Sequence, residues 1–300
     1  MRRATFERTP KSLLIGIGVT LLGGALWGVN ATVSKILMSE YGADPLWIAS
    51  IRQLCAGMLF LAAAGATKPK LLTGAVRDVR SYPVYLLGAL ICVMATQVTY
   101  LNAIKWTNSG TATVLQTLNL LFVLAWVCLR GRRLPGKRET LGVALAFMGT
   151  VLIATGGDLT TLTLPLAGLM WGLGDALATA TMSILPVKVM GRYGNFTVNG
   201  LMFLISGVIL CAAVRPWSHA PQLDAVGVGL MVFTVIGGTF GAYWLYMSGV
   251  MRIGAMRATM LGTSEPVLAT ISAVALTGAV FTPVDLVGFA MILAMVFLVR

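Results

Sequence analysis

The feature that most constrains this chain is a succession of apolar runs, each about twenty residues long, that fills almost its whole length. A helix needs about 20 residues to cross a hydrocarbon core about 30 Å thick, because it rises about 1.5 Å per residue. Only 11% of the residues are charged, whereas soluble domains carry about 25%. The sequence therefore predicts an all-α membrane protein.

Glycines, prolines and charge clusters divide the apolar runs into ten predicted transmembrane helices. The first five are predicted over residues 13–36, 45–66, 83–104, 109–129 and 140–155. The second five are predicted over residues 166–189, 196–214, 225–250, 256–280 and 284–299. We expect two five-helix repeats, residues 1–158 and 159–300, around a central cavity.

The basic residues predict the orientation of these helices. The net charge is +12, and because the Lys and Arg residues lie between apolar runs they indicate a membrane surface rather than nucleic acid. With a cytoplasmic N-terminus, all but four of the 22 basic residues fall on the inner side. The four exceptions are Lys35, Arg52, Lys105 and Arg215. This bias predicts that both termini are cytoplasmic.

The two halves of the chain repeat each other. The segment GALWG at Gly24–Gly28 recurs as GLMWG at Gly168–Gly172, and further along an offset of 146 residues pairs Asn119 with Glu265. Because each half holds an odd number of predicted helices, the second half must enter the membrane from the opposite face. Such inverted repeats recur in transporters, although a duplication retained for packing alone would leave the same pattern.

Short motifs in both halves are similar to those of a known transporter family. They are Trp27-Gly28, Trp171-Gly172, Glu265-Pro266-Val267, Gly142, Gly288 and Arg52. In order and spacing they resemble EamA-type members of the drug/metabolite transporter superfamily, most closely the YddG-type aromatic amino acid exporters. The resemblance implies ten helices around a central cavity and export of amino acids or related metabolites. The chain departs from a symmetric pattern at Asn119-Leu120, which stand where the second half has Glu265-Pro266.

Three charged residues lie within predicted helices. Glu265 and Asp175 are each about ten residues into a helix, near the midplane, and Arg52 is nearer the outer face. An intramembrane charge normally faces protein or water, and it marks a candidate functional site. A carboxylate there could hold a substrate ammonium group or a coupling proton. A structural role is equally open, in which Glu265 organises a helix bent at Pro266 or pairs with Arg52.

Aromatic and amide side chains complete the predicted site. Pairs spaced by three residues share one helix face, and the repeat aligns Gln97 and Tyr100 with Tyr243 and Tyr246. Together with Trp rings they would form a cavity able to stack a ring and contact an amine, although packing and interfacial belts also use these residues. The predicted substrate contacts are Trp27, Asn30, Gln97, Tyr100, Asn119, Trp171, Asp175, Tyr243, Tyr246 and Glu265.

The sequence favours a carrier over an enzyme. His219 is the single histidine, and the four cysteines lie in apolar runs without the spacing of metal ligands, so we expect no catalytic residues, metal or cofactor. The predicted function is an inner-membrane carrier that exports aromatic and other neutral amino acids, or related small metabolites, by alternating access. The alternative is an efflux carrier for cationic amphiphiles. The expected partners are a small-molecule substrate and the lipid bilayer, with proton coupling and oligomeric state left open.

Overall fold

The computed structural model describes residues 10–299, and across that range the chain forms helices without a β-strand. The helices of the first half are α1 (Pro10–Ser39), α2 (Pro45–Thr67), α3 (Pro69–Arg77), α4 (Tyr82–Leu87), α5 (Ala95–Trp106), α6 (Ser109–Gln116), α7 (Asn119–Gly131) and α8 (Lys137–Thr155). A 3₁₀ turn at Val79–Ser81 precedes α4, and a π-helical segment at Gly88–Met94 joins α4 to α5. Val79–Trp106 is therefore one long apolar helical stretch.

The second half follows a similar order. Its helices are α9 (Leu166–Met182), α10 (Val187–Tyr193), α11 (Asn195–Val214), α12 (Ala225–Val235), α13 (Ala242–Ile253), α14 (Ala255–Gly262), α15 (Ser264–Thr277) and α16 (Pro283–Leu298). A second π-helical segment, Ile236–Gly241, joins α12 to α13. Both halves thus contain one π-helical segment at the same place in their helix order.

The membrane class is confirmed, but the helices differ in length from the prediction. Among residues 10–299, seven helical stretches are long and apolar enough to cross a membrane, or eight if α9 and α10, which are bent by 47°, form one span. The predicted helix 256–280 is two helices, α14 and α15, and α15 and α16 are shorter apolar helices. Pro266 and Pro186 lie next to the two breaks, where a proline ring cannot continue the preceding helix.

One of the four basic residues predicted on the outer side caps a helix. The Lys35 ammonium of α1 donates hydrogen bonds to the carbonyls of Ile104, Lys105 and Thr107 at 3.0, 2.9 and 2.8 Å. The last carbonyls of a helix have no partner within it, and a cation at that end is favourable. Lys35 therefore has a structural role at the C-terminus of α5.

Glycines bring the backbones of paired helices into direct contact. Helix α8 packs along α16, and a Cβ atom built at Gly149 would lie 2.7 Å from the carbonyl oxygen of Gly288. Helix α2 packs along α11 in the same way, since a Cβ atom at Gly57 would lie 2.8 Å from the Leu204 Cα atom. Small residues permit this close approach in a bilayer, where packing replaces the hydrophobic effect between helices.

A buried cluster of hydroxyl groups ties α1 to α6 and α15. The Thr32 hydroxyl is joined to that of Ser109 at 2.7 Å and to that of Ser272 at 2.6 Å. Thr32 is fully buried, so these hydrogen bonds satisfy polar groups that would be costly to leave unpaired in an apolar interior. The cluster holds α15, the helix that carries Glu265, against α1.

The contact of α1 with α15 gives a prediction with a control in the same helix. A Cβ atom at Gly28 would lie 2.7 Å from the Ala269 backbone nitrogen, whereas one at Gly18 would meet nothing within 4 Å. We expect Gly28→Ala to lower the free energy of unfolding by about 1–3 kcal/mol, as overpacking does, and Gly18→Ala to leave it unchanged or slightly raised. Thermal unfolding in detergent measures both, and equal midpoints would contradict the close contact.

Candidate functional site

Two adjoining cavities lie among the helices. The central cavity, of about 250 Å³, is lined by residues of α1, α2, α5, α6, α9, α11, α13, α15 and the second π-helical segment. The second cavity, of about 180 Å³, lies among α1, α6, α7, α13, α14, α15 and α16. Trp27, Gln116 and Glu265 line both. These three side chains therefore lie where the two cavities meet.

Arg52 is a buried charge on the wall of the central cavity. Its side chain is 4% exposed, and its Nη2 atom donates a hydrogen bond to Oε1 of Gln97. Its Nε and Nη1 atoms have no hydrogen-bond partner within residues 10–299. The ion pairs seen across that range are Arg133–Glu139 and Arg192–Asp78. Glu265 therefore does not form an ion pair with Arg52, which was one of the structural roles considered for it from the sequence. Arg52 thus retains N–H groups that could donate hydrogen bonds to an anion.

Aromatic rings form much of the remaining wall. Phe60 and Tyr243 meet edge to face in the central cavity, with ring centroids 5.2 Å apart. The Tyr243 hydroxyl is held by Nδ2 of Asn199 at 2.5 Å. Trp27 packs against Tyr246, with centroids 5.0 Å apart, beside the second cavity. These rings offer faces for an apolar or aromatic group of a ligand.

The second π-helical segment shapes the central cavity. Gly238 and Thr239 of this segment line it, and the Thr239 hydroxyl donates to the carbonyl of Thr234 at 2.8 Å. A Cβ atom at Gly238 would lie 2.5 Å from the Cβ atom of Asn30, so glycine is required for α1 to pack here. π-helical segments occur often at functional sites, where they redirect side chains without leaving the helix.

Two helix breaks face the second cavity. The break between α6 and α7 contributes Thr117 and Asn119, and the break between α14 and α15 contributes Thr263 and Glu265. Asn119 and Glu265, which the repeat aligns, therefore line the same cavity. Interrupted helices near the midplane form the binding sites of many transporters, because backbone that leaves the helix must be covered by protein or water.

Eight of the ten predicted contact residues line at least one cavity. The central cavity contains Trp27, Asn30, Gln97, Tyr100, Tyr243 and Glu265, and the second contains Trp27, Asn119, Tyr246 and Glu265. Trp171 and Asp175 lie outside both. Contact of any of these side chains with a substrate stays a prediction.

The positions of Trp171 and Asp175 follow from the packing of α9. Trp171 packs against an apolar cluster that includes Ala103 and Ile104 of α5. Asp175 is fully buried, and its Oδ1 atom accepts a hydrogen bond from Thr179 at 3.3 Å. Neither side chain lines a cavity, whereas Thr179, one turn beyond Asp175 on α9, lines the central cavity.

Several cavity residues were not among the predicted contacts. They are Arg52, Phe60, Thr96, Gln116, Thr179, Met182, Asn199, Phe203, Gly238 and Thr239 in the central cavity. Arg52 and Gln116 are detectable in the sequence as polar residues in apolar helices. Phe60 carries no such signal, because only the packing of α2 against α11 brings it to the same cavity as Asn199.

The Arg52–Gln97 contact gives a prediction about stability. Gln97→Leu should lower the free energy of unfolding by about 1–3 kcal/mol, because it removes the hydrogen-bond acceptor of a buried cation. Asn102→Leu on the same helix is the matched control, since Asn102 donates only to Val98 of its own helix, at 2.8 Å. Adding Arg52→Met to Gln97→Leu should recover part of the loss in thermal unfolding. A double variant less stable than Gln97→Leu alone would argue against this pairing.

Known proteins resemble the chain over nearly its whole length. The sequence profile of the EamA-like transporter family matches residues 14–155 and 166–300. An uncharacterized inner membrane transporter of Salmonella typhimurium, YicL, is 27% identical over 280 residues, which cover 93% of each chain. A probable amino-acid metabolite efflux pump of the same organism is 24% identical over 289 residues, covering 92% of this chain and 91% of that protein.

The fold also has a counterpart among solved structures. A protein of known crystal structure aligns with a TM-score of 0.62 and 18% identity, covering 96% of both chains. This likeness shows a shared fold alone. The family profile, in contrast, matches both halves of the sequence, and apolar helices long enough to cross a bilayer accompany it. The chain therefore belongs to the EamA-like transporter family, and it is a membrane transporter.

Proposed function

We propose that the protein is a carrier that exports neutral and aromatic amino acids, or related small metabolites, by alternating access. The observation that carries this proposal is that Arg52 and Glu265 line one cavity without pairing with each other. An amino acid brings a carboxylate, which guanidinium groups bind well, and an ammonium group, which a carboxylate can hold. The opposite charges of the substrate thus match the two charged side chains of the cavity.

The size of the cavity supports a small substrate. Pockets for drug-sized ligands occupy roughly 300–1,000 Å³, whereas the central cavity measures about 250 Å³. Its aromatic wall, with Phe60 and Tyr243 edge to face, suits an apolar or aromatic side chain. One relative is named a probable amino-acid metabolite efflux pump, which agrees with this substrate class.

Two inverted five-helix repeats, residues 1–158 and 159–300, are the proposed architecture. The helix breaks at residues 117–118 and 263 lie at positions that the 146-residue offset aligns, as do α8 and α16. The family profile matches the chain in two blocks. Pseudo-symmetric halves offer two nearly equivalent arrangements, open to either side, and Trp27, Gln116 and Glu265 lie between the two cavities where such a change would act.

A second candidate function has one observation in its favour. The second cavity is lined by Glu265 and by the adjoining rings of Trp27 and Tyr246, and no Lys or Arg is part of its lining within the described residues. A carboxylate beside aromatic faces suits an organic cation. Efflux of cationic amphiphiles through the same protein is therefore the alternative.

Transport assays with charge variants separate the two functions. Purified protein in proteoliposomes should show saturable counterflow of labelled phenylalanine and threonine, measured with and without a pH gradient. We expect Arg52→Gln to lower amino acid flux about 10- to 100-fold, the loss of one charged hydrogen bond, and to spare flux of a quaternary amine. Glu265→Gln should lower both fluxes, because both ligands carry a positive group.

Controls and outcomes follow from the same substitutions. Asp158→Asn changes a carboxylate in an exposed loop between α8 and α9, so its flux should equal that of the wild type. Saturable flux of the amine without amino acid flux would favour the cation carrier. If neither ligand is transported, or if Glu265→Gln retains full flux of both, the proposed site is wrong.

We propose that both termini are cytoplasmic in a bacterial-type inner membrane. Two relatives are named inner membrane transporters, and the loop between α7 and α8 and the first turn of α8 together hold four basic residues, Arg132, Arg133, Lys137 and Arg138. Single cysteines at Leu134 and at His219, in a background without the native cysteines, test this orientation in intact cells. A membrane-impermeant thiol reagent should label only the cysteine at 219. Labelling only at 134 would reverse the orientation.

A further inference from the structure

An apolar groove lies apart from both cavities, on the outer surface of the helix bundle. It measures about 680 Å³ and is lined by residues of α3, the 3₁₀ turn, α4 and α11, among them Val76, Val79, Tyr85, Leu201 and Ile205. We call it the α3–α11 groove. Val79 is 69% exposed and Val76 is 48% exposed, so a large apolar surface stands open at the level where the helices enter the membrane.

The depth of the groove matches one leaflet. Helix α11 begins at Asn195, and Ile205 lies ten residues further along it, which is about 15 Å at 1.5 Å per residue. Half of a hydrocarbon core about 30 Å thick has the same depth. The groove therefore extends from one membrane surface toward the midplane, as a lipid acyl chain does.

The segments next to the shallow end of the groove are rich in basic residues. Segments 68–80 and 187–194, which include α3 and α10, hold six basic residues: Lys68, Lys70, Arg77, Arg80, Lys188 and Arg192. Asp78 is the one acidic residue of these segments. Clusters of four to eight Lys or Arg at the end of a transmembrane segment are typical of sites for anionic lipids.

Asp78 interacts with residues of its own protein, and as one carboxylate among six basic residues it leaves most of their positive charge uncompensated. It accepts hydrogen bonds from Tyr193 at 2.7 Å and Ser81 at 2.8 Å, and it pairs with Arg192 at 3.1 Å. These interactions lower the pKa of the Asp78 carboxyl, and the hydrogen bond from Tyr193 contributes most to the decrease. Arg77 and Arg80 remain exposed beside the groove.

Tyr85 marks the depth of the groove. Its side chain is 2% exposed and lines the groove, with its hydroxyl buried. Tyr85 lies six residues after Val79, where the span begins, or about 9 Å deeper. That depth suits the glycerol ester region of a lipid.

We propose that the α3–α11 groove binds one anionic glycerophospholipid. An acyl chain occupies the apolar groove, and the phosphate lies near Arg77 and Arg80. A free phosphate would leave the apolar groove empty, so the occupant is a lipid. The site does not depend on the transported substrate.

Native mass spectrometry of the purified full-length protein tests the charge preference. From mixed micelles with equal phosphatidylglycerol and phosphatidylcholine, the wild type should retain phosphatidylglycerol several-fold over phosphatidylcholine. Arg77→Gln with Arg80→Gln should lower this ratio at least fivefold, as expected for two basic residues near a lipid surface. Lys137→Gln with Arg138→Gln, which removes equal charge from the first turn of α8, should leave it unchanged.

Groove variants test the position of the lipid. Ile205→Trp should fill the α3–α11 groove and abolish retention of phosphatidylglycerol. Ile271→Trp is the matched control, because Ile271 lines a separate apolar groove of about 580 Å³ with no charged residue in its described lining. Size-exclusion chromatography and thermal unfolding show whether each variant is folded.

Two results would overturn the proposal. One is equal retention of phosphatidylglycerol and phosphatidylcholine by the wild type. The other is full retention of phosphatidylglycerol by folded Ile205→Trp. Should that variant not fold, wild-type retention by the Arg77/Arg80 double variant would equally overturn it. Since all of these readouts are of lipid binding, their failure leaves the transport proposal to be judged by flux alone.

Discussion

The structure depends on the need to satisfy backbone hydrogen bonds in a hydrocarbon solvent. Without water, N–H and C=O groups must pair within helices, so the chain is helical wherever lipid surrounds it. Interruptions are permitted only where protein or a cavity covers them. The breaks at residues 117–118 and 263 face the second cavity, and a π-helical segment lines the central one. The cavities are therefore located where the helices are irregular.

Buried polar side chains fall into two groups that differ in their hydrogen bonding. Lys35 caps α5, and the hydroxyl cluster of Thr32 joins three helices, so these groups are fully used by the fold. Arg52 retains two nitrogen atoms without a partner in the described structure, although it lies in a cavity wall. Because unpaired buried polar groups are unfavourable, the first group stabilises the scaffold and the second is the better candidate for ligand binding.

Much of the fold was predictable from the sequence because lipid imposes a simple rule on composition. The lengths of the apolar runs predicted helices close to many of those observed. For example, α8 and α16 begin within three residues of their predicted starts. The prediction of one continuous helix over residues 256–280 was wrong, because hydropathy does not register a break between two apolar segments. Pro266 was the available signal, but the equivalent break at residues 117–118 contains no proline, so tertiary packing must contribute to it.

The sequence by itself determined the membrane class, the internal repeat and the candidate charges, since these depend on residue type and on spacing along one helix. Only the tertiary structure decided which side chains share a cavity. It placed Phe60 and Asn199 next to Tyr243 in one cavity and joined Arg52 to Gln97 by a hydrogen bond. It also buried Asp175 completely. The physical reason is that periodicity shows which face of a helix a residue occupies, whereas its neighbours depend on contacts between helices far apart in the chain.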